Sequence, residues 1–226
     1  MRPATQGVYA AALRFLYAVT LGRPEMSGLI PRPRVVDYLP DILSTQEIER
    51  LIGAARSPKH RAILMTSYAV GLRVSEVASL RIADIDAARK TIRIRNAKGG
   101  RDRYVPLGDR LLGVLRAYWH QARPSGEYLF QGTKRGAPIS TKAIWHMVHE
   151  AARRAGLDKR ISPHTMRHCY ATHLLEAGTD LRTIQHLLGH RSIRSTVRYA
   201  FVTQKVLDRV PSPLDNLAGL FDSPAA

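Results

Sequence analysis

Residues 162–178 read SPHTMRHCYATHLLEAG. The stretch is punctuated as a helix: Ser162 caps it, Pro163 takes the first helical position, where its missing N–H is no loss, and Gly178 stops it. At helical spacing Met166, Tyr170, Leu174 and Ala177 form one stripe, which is expected to face a core. His164 and Arg167 are neighbours on the adjoining face. Arg167 lies at the edge of the apolar stripe, so its stem should be covered while its fork faces outward. A partly desolvated guanidinium requires an anion, and it grips phosphate oxygens in bidentate fashion. The helix N-terminus adds donors and a positive dipole end near His164. The head of this helix therefore reads as an oxyanion seat, the plain alternative being two polar residues that solvate a helix start. A metal site is a poorer reading. His164 and His168 have the i, i+4 spacing of a zinc-protease helix, but Thr165 stands where that motif has glutamate.

Outward from this segment the chain is mostly helical. Thr5–Leu21 has a helical pattern ended by Gly22 and Pro24, and the prolines at 24, 31, 33 and 40 mark residues 22–40 as a linker. One helix cannot bury its own face, so residues 1–21 read as the last helix of a preceding domain or as a strap. Ser44-Thr45-Gln46-Glu47 is a capping box that opens a helix towards Ala55; Pro58 starts another, which ends near Gly71, and a short one runs through Val74 to Leu80. TIRIR (91–95) and DRYVP (102–106) alternate as strands do, and KGG (98–100) turns between them. Further helices are expected over Leu111–Trp119, Ser140–Gly156, from Asp180 to Gly189, from Ser192 or Ser195 onward, and over Thr203–Val210, with an extended piece at Tyr128–Phe130. The fold class is α+β: predominantly α-helical with one small antiparallel β-sheet.

Composition narrows the function. Of 226 residues, 35 are Lys or Arg and 18 Asp or Glu, a net charge of +17, which favours a polyanion partner, nucleic acid above all. No apolar run approaches the ~20 residues of a spanning helix, and Arg14 interrupts the apolar N-terminal stretch, so neither membrane nor secretory signal is expected. The single cysteine, Cys169, excludes an internal disulfide framework and a thiolate zinc cage, and fits a reducing compartment.

Other chemistry-bearing positions are spread along the chain. Arg73, in GLRVSE, follows a helix-ending glycine, where it serves an anion or simply the last carbonyls of the preceding helix. Lys98 sits at a hairpin tip with the reach to enter a groove. His190 follows Gly189, and Tyr199 lies in the same terminal segment. Two arginines, two histidines, a lysine and a tyrosine, with no matching set of carboxylates, suit phosphoryl transfer without metal. A hydroxyl attacks, and cations with imidazoles stabilise the charge on the five-coordinate phosphorus. A two-metal nuclease would require several converging carboxylates.

Four segments in order, VGLRVSEV, KGGRDRYVPL, HTMRHCYATHLLEAG and LGHRSIRSTVRYA, are similar to the boxes of the tyrosine recombinases, the phage integrase family with its Xer-like and transposon-borne members. The resemblance covers about residues 38–212. It implies a DNA breaking-rejoining catalytic domain over 41–212, preceded by a remnant of a core-binding domain (1–21) and the linker (22–40), and followed by a tail (213–226). It implies a site-specific recombinase or integrase of a mobile element, acting in the cytoplasm and on the nucleoid. Such an enzyme cleaves and rejoins double-stranded DNA through a 3′-phosphotyrosyl intermediate, with neither cofactor, metal nor small-molecule substrate, as a homotetramer on synapsed duplexes. By the same resemblance Arg73 and Arg167 clamp the scissile phosphate, His190 shares that task and His164 assists proton handling at the nucleophile. Lys98 protonates the leaving 5′-hydroxyl, Tyr199 is the nucleophile and Glu76 supports the site.

Three departures stand out. Met166 replaces the usual leucine, Phe201 replaces a histidine common two residues after the nucleophile, and most of the core-binding domain is missing. Each phosphate contact so lost is expected to lower the salt dependence of binding by about one unit. Two other readings compete: a type IB topoisomerase-like nicking-closing enzyme, and a non-enzymatic helix-turn-helix regulator. Against the regulator, Gln185 stands where such a motif needs a small residue, and His190, Ser195 and Arg198 fall on its apolar positions.

Overall fold

The helix at 163–176 is enclosed by three others, and its surroundings follow from what it buries. The computed structural model describes residues 3–31, 41–97, 101–134, 136–190, 192–197 and 199–200; the expected turn at 98–100 and the expected helix at 203–210 lie outside the described residues. The chain divides into two compact units, Met1–Leu39 and Pro40–Ala226.

In the first unit α1 (Pro3–Phe15) runs on into a π-helical turn, Leu16–Thr20, and α2 covers Pro24–Gly28. The linker expected from Gly22 onward is thus corrected in part. Pro24 opens a helix instead of preventing one, because at the first helical position it has no hydrogen bond to lose. Arg14 donates to the Ile30 carbonyl at 2.7 Å within this unit.

The second unit opens on α3 (Thr45–Gly53), closed at its start by reciprocal Ser44–Glu47 hydrogen bonds. Next comes α4 (Pro58–Val70), capped by Ser57. It is buried on most sides, and its two inward hydroxyls are satisfied within the helix: Thr66 donates to the Ala62 carbonyl and Ser67 to that of Ile63. After α5 (Val74–Ala78) comes a sheet of β1 (Ile85–Asp86), β2 (Thr91–Ala97) and β3 (Arg101–Pro106), antiparallel in that order. The two expected strands are present, and β1 is added; a two-residue strand has no period to read. Ile92 pairs with Val105 and Ile94 with Arg103, so Ile92, Ile94, Arg103 and Val105 all point inward.

The remaining helices are α6 (Asp109–Ala122), longer than expected at both ends, α7 (Thr141–Arg154), α8 (Pro163–Glu176), α9 (Leu181–Leu188) and α10 (Arg194–Val197). Helix α8 packs against α4, α7 and α9. Its expected stripe is buried at Met166 and Tyr170 but emerges to solvent by Ala177, and burial spreads to Thr165, Arg167, Cys169, Ala171 and Thr172 on other faces. Residue 43 ties the start of the unit to α8: the Leu43 N–H donates to Cys169 Sγ, and the Leu43 carbonyl meets His173 Nε2 at 3.0 Å.

Helix α4 can lie this close to α8 because it ends on a glycine. Gly71 has φ +63, and a Cβ there would fall 2.2 Å from Tyr170 Cδ1. Gly71→Ala therefore combines a left-handed residue, costing about 1–3 kcal/mol, with an overpacked contact of about the same size. The expected outcome is a loss of at least about 2 kcal/mol in denaturant unfolding, whereas an unchanged midpoint would show that the α4–α8 approach is not tight.

Candidate active site

Every helix ends on carbonyls without intrahelical partners. Helices α4 and α9 both stop at left-handed glycines, Gly71 (φ +63) and Gly189 (φ +62), and their terminal carbonyls meet beside α8. Arg167 joins them: Nη1 donates to the Gly71 carbonyl at 2.7 Å and Nη2 to the Leu188 carbonyl at 2.5 Å. The expectation that this fork faces outward is therefore corrected. Arg167 is 3% exposed and turned inward, because two helix C-termini concentrate negative partial charge where its guanidinium lies. Burial, and then Arg73, push its pKa down to about 10, with Glu76 opposing, so it is still charged at neutral pH. Of the five N–H donors of a guanidinium, two are used here on carbonyls of the described residues.

Arg73 caps the start of α5. Its backbone N–H donates to Glu76 Oε2 (2.8 Å), Nη1 to Glu76 Oε1 (2.9 Å) and Nη2 to the Gly189 carbonyl (3.3 Å). The alternative in which it serves the carbonyls of the helix before it is not the one observed; Arg167 takes that place at Gly71.

Glu76 is buried and also bound fork to fork by Arg103, at 2.9 Å (Nη1–Oε1) and 2.8 Å (Nη2–Oε2), while Arg103 Nε donates to the Leu187 carbonyl at 2.9 Å. Burial by itself would raise the Glu76 pKa; the hydrogen bonds and charge of Arg103, with those of Arg73, hold it down at about 2. Arg167 Nη1 also lies 4.0 Å from Glu76 Oε2. Three guanidinium groups thus surround a single carboxylate, which leaves an excess of positive charge in a poorly solvated place. Arg103 was not among the expected site residues. The signal for it was the alternation of β3, which puts residue 103 in phase with Val105 on the inner face.

The imidazoles gather around the same charges. His164 is exposed within the otherwise buried first turn of α8, and its pKa is lowered by partial desolvation, then by Arg167 and Arg73. His190 follows Gly189; its Nδ1 lies 2.9 Å from Thr196 Oγ1. Its pKa is pushed down to about 4 by burial and by Arg167, Arg73, His168 and Arg103, so it is neutral at pH 7. Tyr199 is 2% exposed, its ring lying nearly parallel to that of His190 (6.5 Å, 13°) and its hydroxyl 3.1 Å from His168 Nδ1. His168 had been weighed only as a partner for metal with His164; one helical turn further on, it meets the tyrosine instead. Among the described residues no three of His, Cys, Asp and Glu are grouped to hold a metal ion.

The structure thus brings together Arg73, Glu76, His164, Arg167, His190 and Tyr199 from separate parts of the chain, and adds Arg103 and His168. Lys98 lies outside the described residues; the strands that flank it are anchored to the site through Arg103. Chemically, the cluster is a set of cations beside a phenol, suited to holding an oxyanion against a hydroxyl nucleophile.

A sequence model described as the phage integrase family matches residues 41–205. The chain is 42% identical over 218 residues to a protein of Sinorhizobium fredii named as an integrase/recombinase, covering 96% of this chain and 70% of that one. It is 36% identical over 205 residues to the tyrosine recombinase XerA of Pyrococcus furiosus, covering 88% of this chain and 71% of that protein. Among solved structures, the lambda integrase tetramer bound to a Holliday junction shares the fold with a TM-score of 0.71 at 20% identity, over 87% of this chain and 59% of that one.

The Glu76 cluster has a measurable signature. Glu76→Gln leaves buried arginines without their counterion and should cost about 3–5 kcal/mol in denaturant unfolding. Because the folded-state pKa of Glu76 (about 2) lies below its ordinary 4.5, the stabilisation is complete above pH 4.5 and disappears as pH falls towards 2. The variant should show a flatter stability curve across that window; an acid limb as steep as that of the parent would remove the network from its supposed role.

Proposed function

The chain belongs to the phage integrase family, the tyrosine recombinases that cleave and rejoin DNA, and on that basis we propose that it does so at the Arg73–Arg167–Tyr199 cluster. The observation that carries the assignment is a buried phenol close enough to act electrostatically on Arg167, beside surplus guanidinium charge. Arg73 and Arg167 bind the non-bridging oxygens of the scissile phosphate, and neutral His190 donates a further hydrogen bond. As charge accumulates on those oxygens in the transition state, the cations stabilise it. Tyr199 attacks phosphorus and becomes linked to the 3′-phosphate; His164, close to both arginines, assists with the proton at the nucleophile; Lys98, from its hairpin, protonates the departing 5′-oxygen. The covalent link conserves the phosphodiester bond energy, so the 5′-hydroxyl of the same or another strand can attack in turn and rejoin the DNA without ATP. Glu76 takes no part in bond making; it holds Arg73 in place.

The partner is double-stranded DNA, in keeping with the net charge of +17, and the working assembly is a tetramer on two synapsed duplexes; the lambda integrase neighbour is a tetramer bound to a Holliday junction. Residues 41–212 carry the chemistry, and residues 1–40 take the place of the end of a core-binding domain and its connection. The site of action is the cytoplasm and the nucleoid within it. The family relatedness favours neither the nicking-closing enzyme nor the regulator.

A nicked suicide duplex, from which the cleaved end diffuses away, should trap a covalent protein–DNA adduct in EDTA. Tyr199→Phe should abolish it, and an adduct that persists in this variant rules out Tyr199 as the nucleophile. Arg167→Ala should slow single-turnover cleavage by about 10²–10³-fold, and a loss of less than about fivefold would take Arg167 out of the phosphate clamp.

A further inference from the structure

We propose that His168 is the base that takes the proton from Tyr199, an inference that rests on reading Tyr199 as the nucleophile. Three observations point to it. The Tyr199 hydroxyl lies 3.1 Å from His168 Nδ1, within reach for direct proton transfer. Tyr199 is 2% exposed, so in this conformation a neighbouring side chain is closer at hand for its proton than bulk water. His190, the other imidazole near the phenol, has its ring centroid 6.5 Å from that of Tyr199. His190 Nδ1 is besides engaged with Thr196 Oγ1 at 2.9 Å.

His168 is well placed for the part. It is next to Arg167 on α8, so a single rigid element sets the position of the base and of a phosphate-binding cation relative to each other. The phenol donates to Nδ1 when that nitrogen is unprotonated and the ring proton is on Nε2. In cleavage, the Tyr199 O–H bond breaks and its proton passes to His168 Nδ1. The phenolic oxygen forms the new bond to phosphorus, the P–O5′ bond breaks, and the 5′-oxygen leaves with that electron pair and takes a proton from the general acid, Lys98. In rejoining, the 5′-hydroxyl attacks, the phenolate departs, and the imidazolium of His168 returns the proton. His164, whose pKa is lowered by partial desolvation and then by Arg167 and Arg73, assists that proton indirectly, the direct acceptor being His168.

The test separates a base from a merely structural neighbour. Single-turnover cleavage of the suicide duplex is measured for the parent chain, for His168→Ala and for His168→Gln, which keeps hydrogen-bonding reach without basicity. Each is made with tyrosine and with 3,5-difluorotyrosine at position 199; the fluorines make the phenol acidic enough to ionise near neutral pH unaided. Both variants should cleave about 10²-fold or more slowly with tyrosine, and recover most of that loss with difluorotyrosine. A substitution that only disturbed packing would not be rescued by a change of phenol acidity. Cleavage of either variant at the parental rate, or a defect that difluorotyrosine leaves untouched, overturns the proposal. If the parent chain forms no adduct, or if Tyr199→Phe still forms one, it is the nucleophile assignment that fails.

Discussion

One buried carboxylate organises the site. Glu76 is bound bidentately by Arg103 from the sheet, by Arg73 through both its backbone and its side chain, and lies 4.0 Å from Arg167 of α8. Removing charges from water is expensive, and the attraction within a pair recovers that cost only where geometry is good and every remaining donor is satisfied. Here the carboxylate answers for one positive charge, and the carbonyls of Gly71, Leu187, Leu188 and Gly189 take up donors from all three guanidiniums. The arginines are thereby fixed in position while the local charge is left unbalanced, and a phosphodiester is the kind of ligand that redresses it.

The carbonyls come from two helix ends, and this is where fold and site become inseparable. Helices α4 and α9 end on left-handed glycines, and each must terminate where it does for its last carbonyls to face Arg167. A Cβ on Gly71 would strike Tyr170, and one on Gly189 would lie 3.2 Å from Arg103 Cδ. The glycines therefore do more than turn the chain: they allow α8 and the β3 arginine to come close enough for the hydrogen bonds to form. A helix-packing distance and a phosphate-binding geometry are settled by the same two residues.

Much of this was legible beforehand, for reasons that are local. Ser44, Ser140, Ser162 and Asp180, with prolines at 58 and 163, placed five helix starts, because capping depends only on neighbours within a turn. The strands were legible from their alternation at 91–95 and 102–106, slightly short of their observed extents of 91–97 and 101–106. What was misread depended on distant partners. Pro24 was taken for linker although it opens α2, and β1 was too short to have a pattern. Arg167 was expected to point outward, since the stripe on α8 suggested one apolar side; in fact the helix is enclosed on several sides, and the guanidinium is directed inward by carbonyls that are remote in sequence. Arg103 passed unremarked and His168 was weighed only with a metal in view, because an arginine beside a hairpin and a second histidine on a helix look unexceptional until Glu76 and Tyr199 are beside them.

The amino-acid sequence by itself determined the class of fold, the punctuation of most elements and the residue types from which a phosphoryl-transfer site can be assembled, since propensity, capping and periodicity act over a few residues. Only the tertiary structure decided which way each of those side chains turned, that one glutamate holds the arginines, and that His168 is the imidazole at the Tyr199 hydroxyl. The reason is physical: the direction of a buried charge is set by the nearest opposite charge or dipole, and here, apart from the Arg73–Glu76 pair three residues apart, those partners lie between about 20 and 120 positions away along the chain.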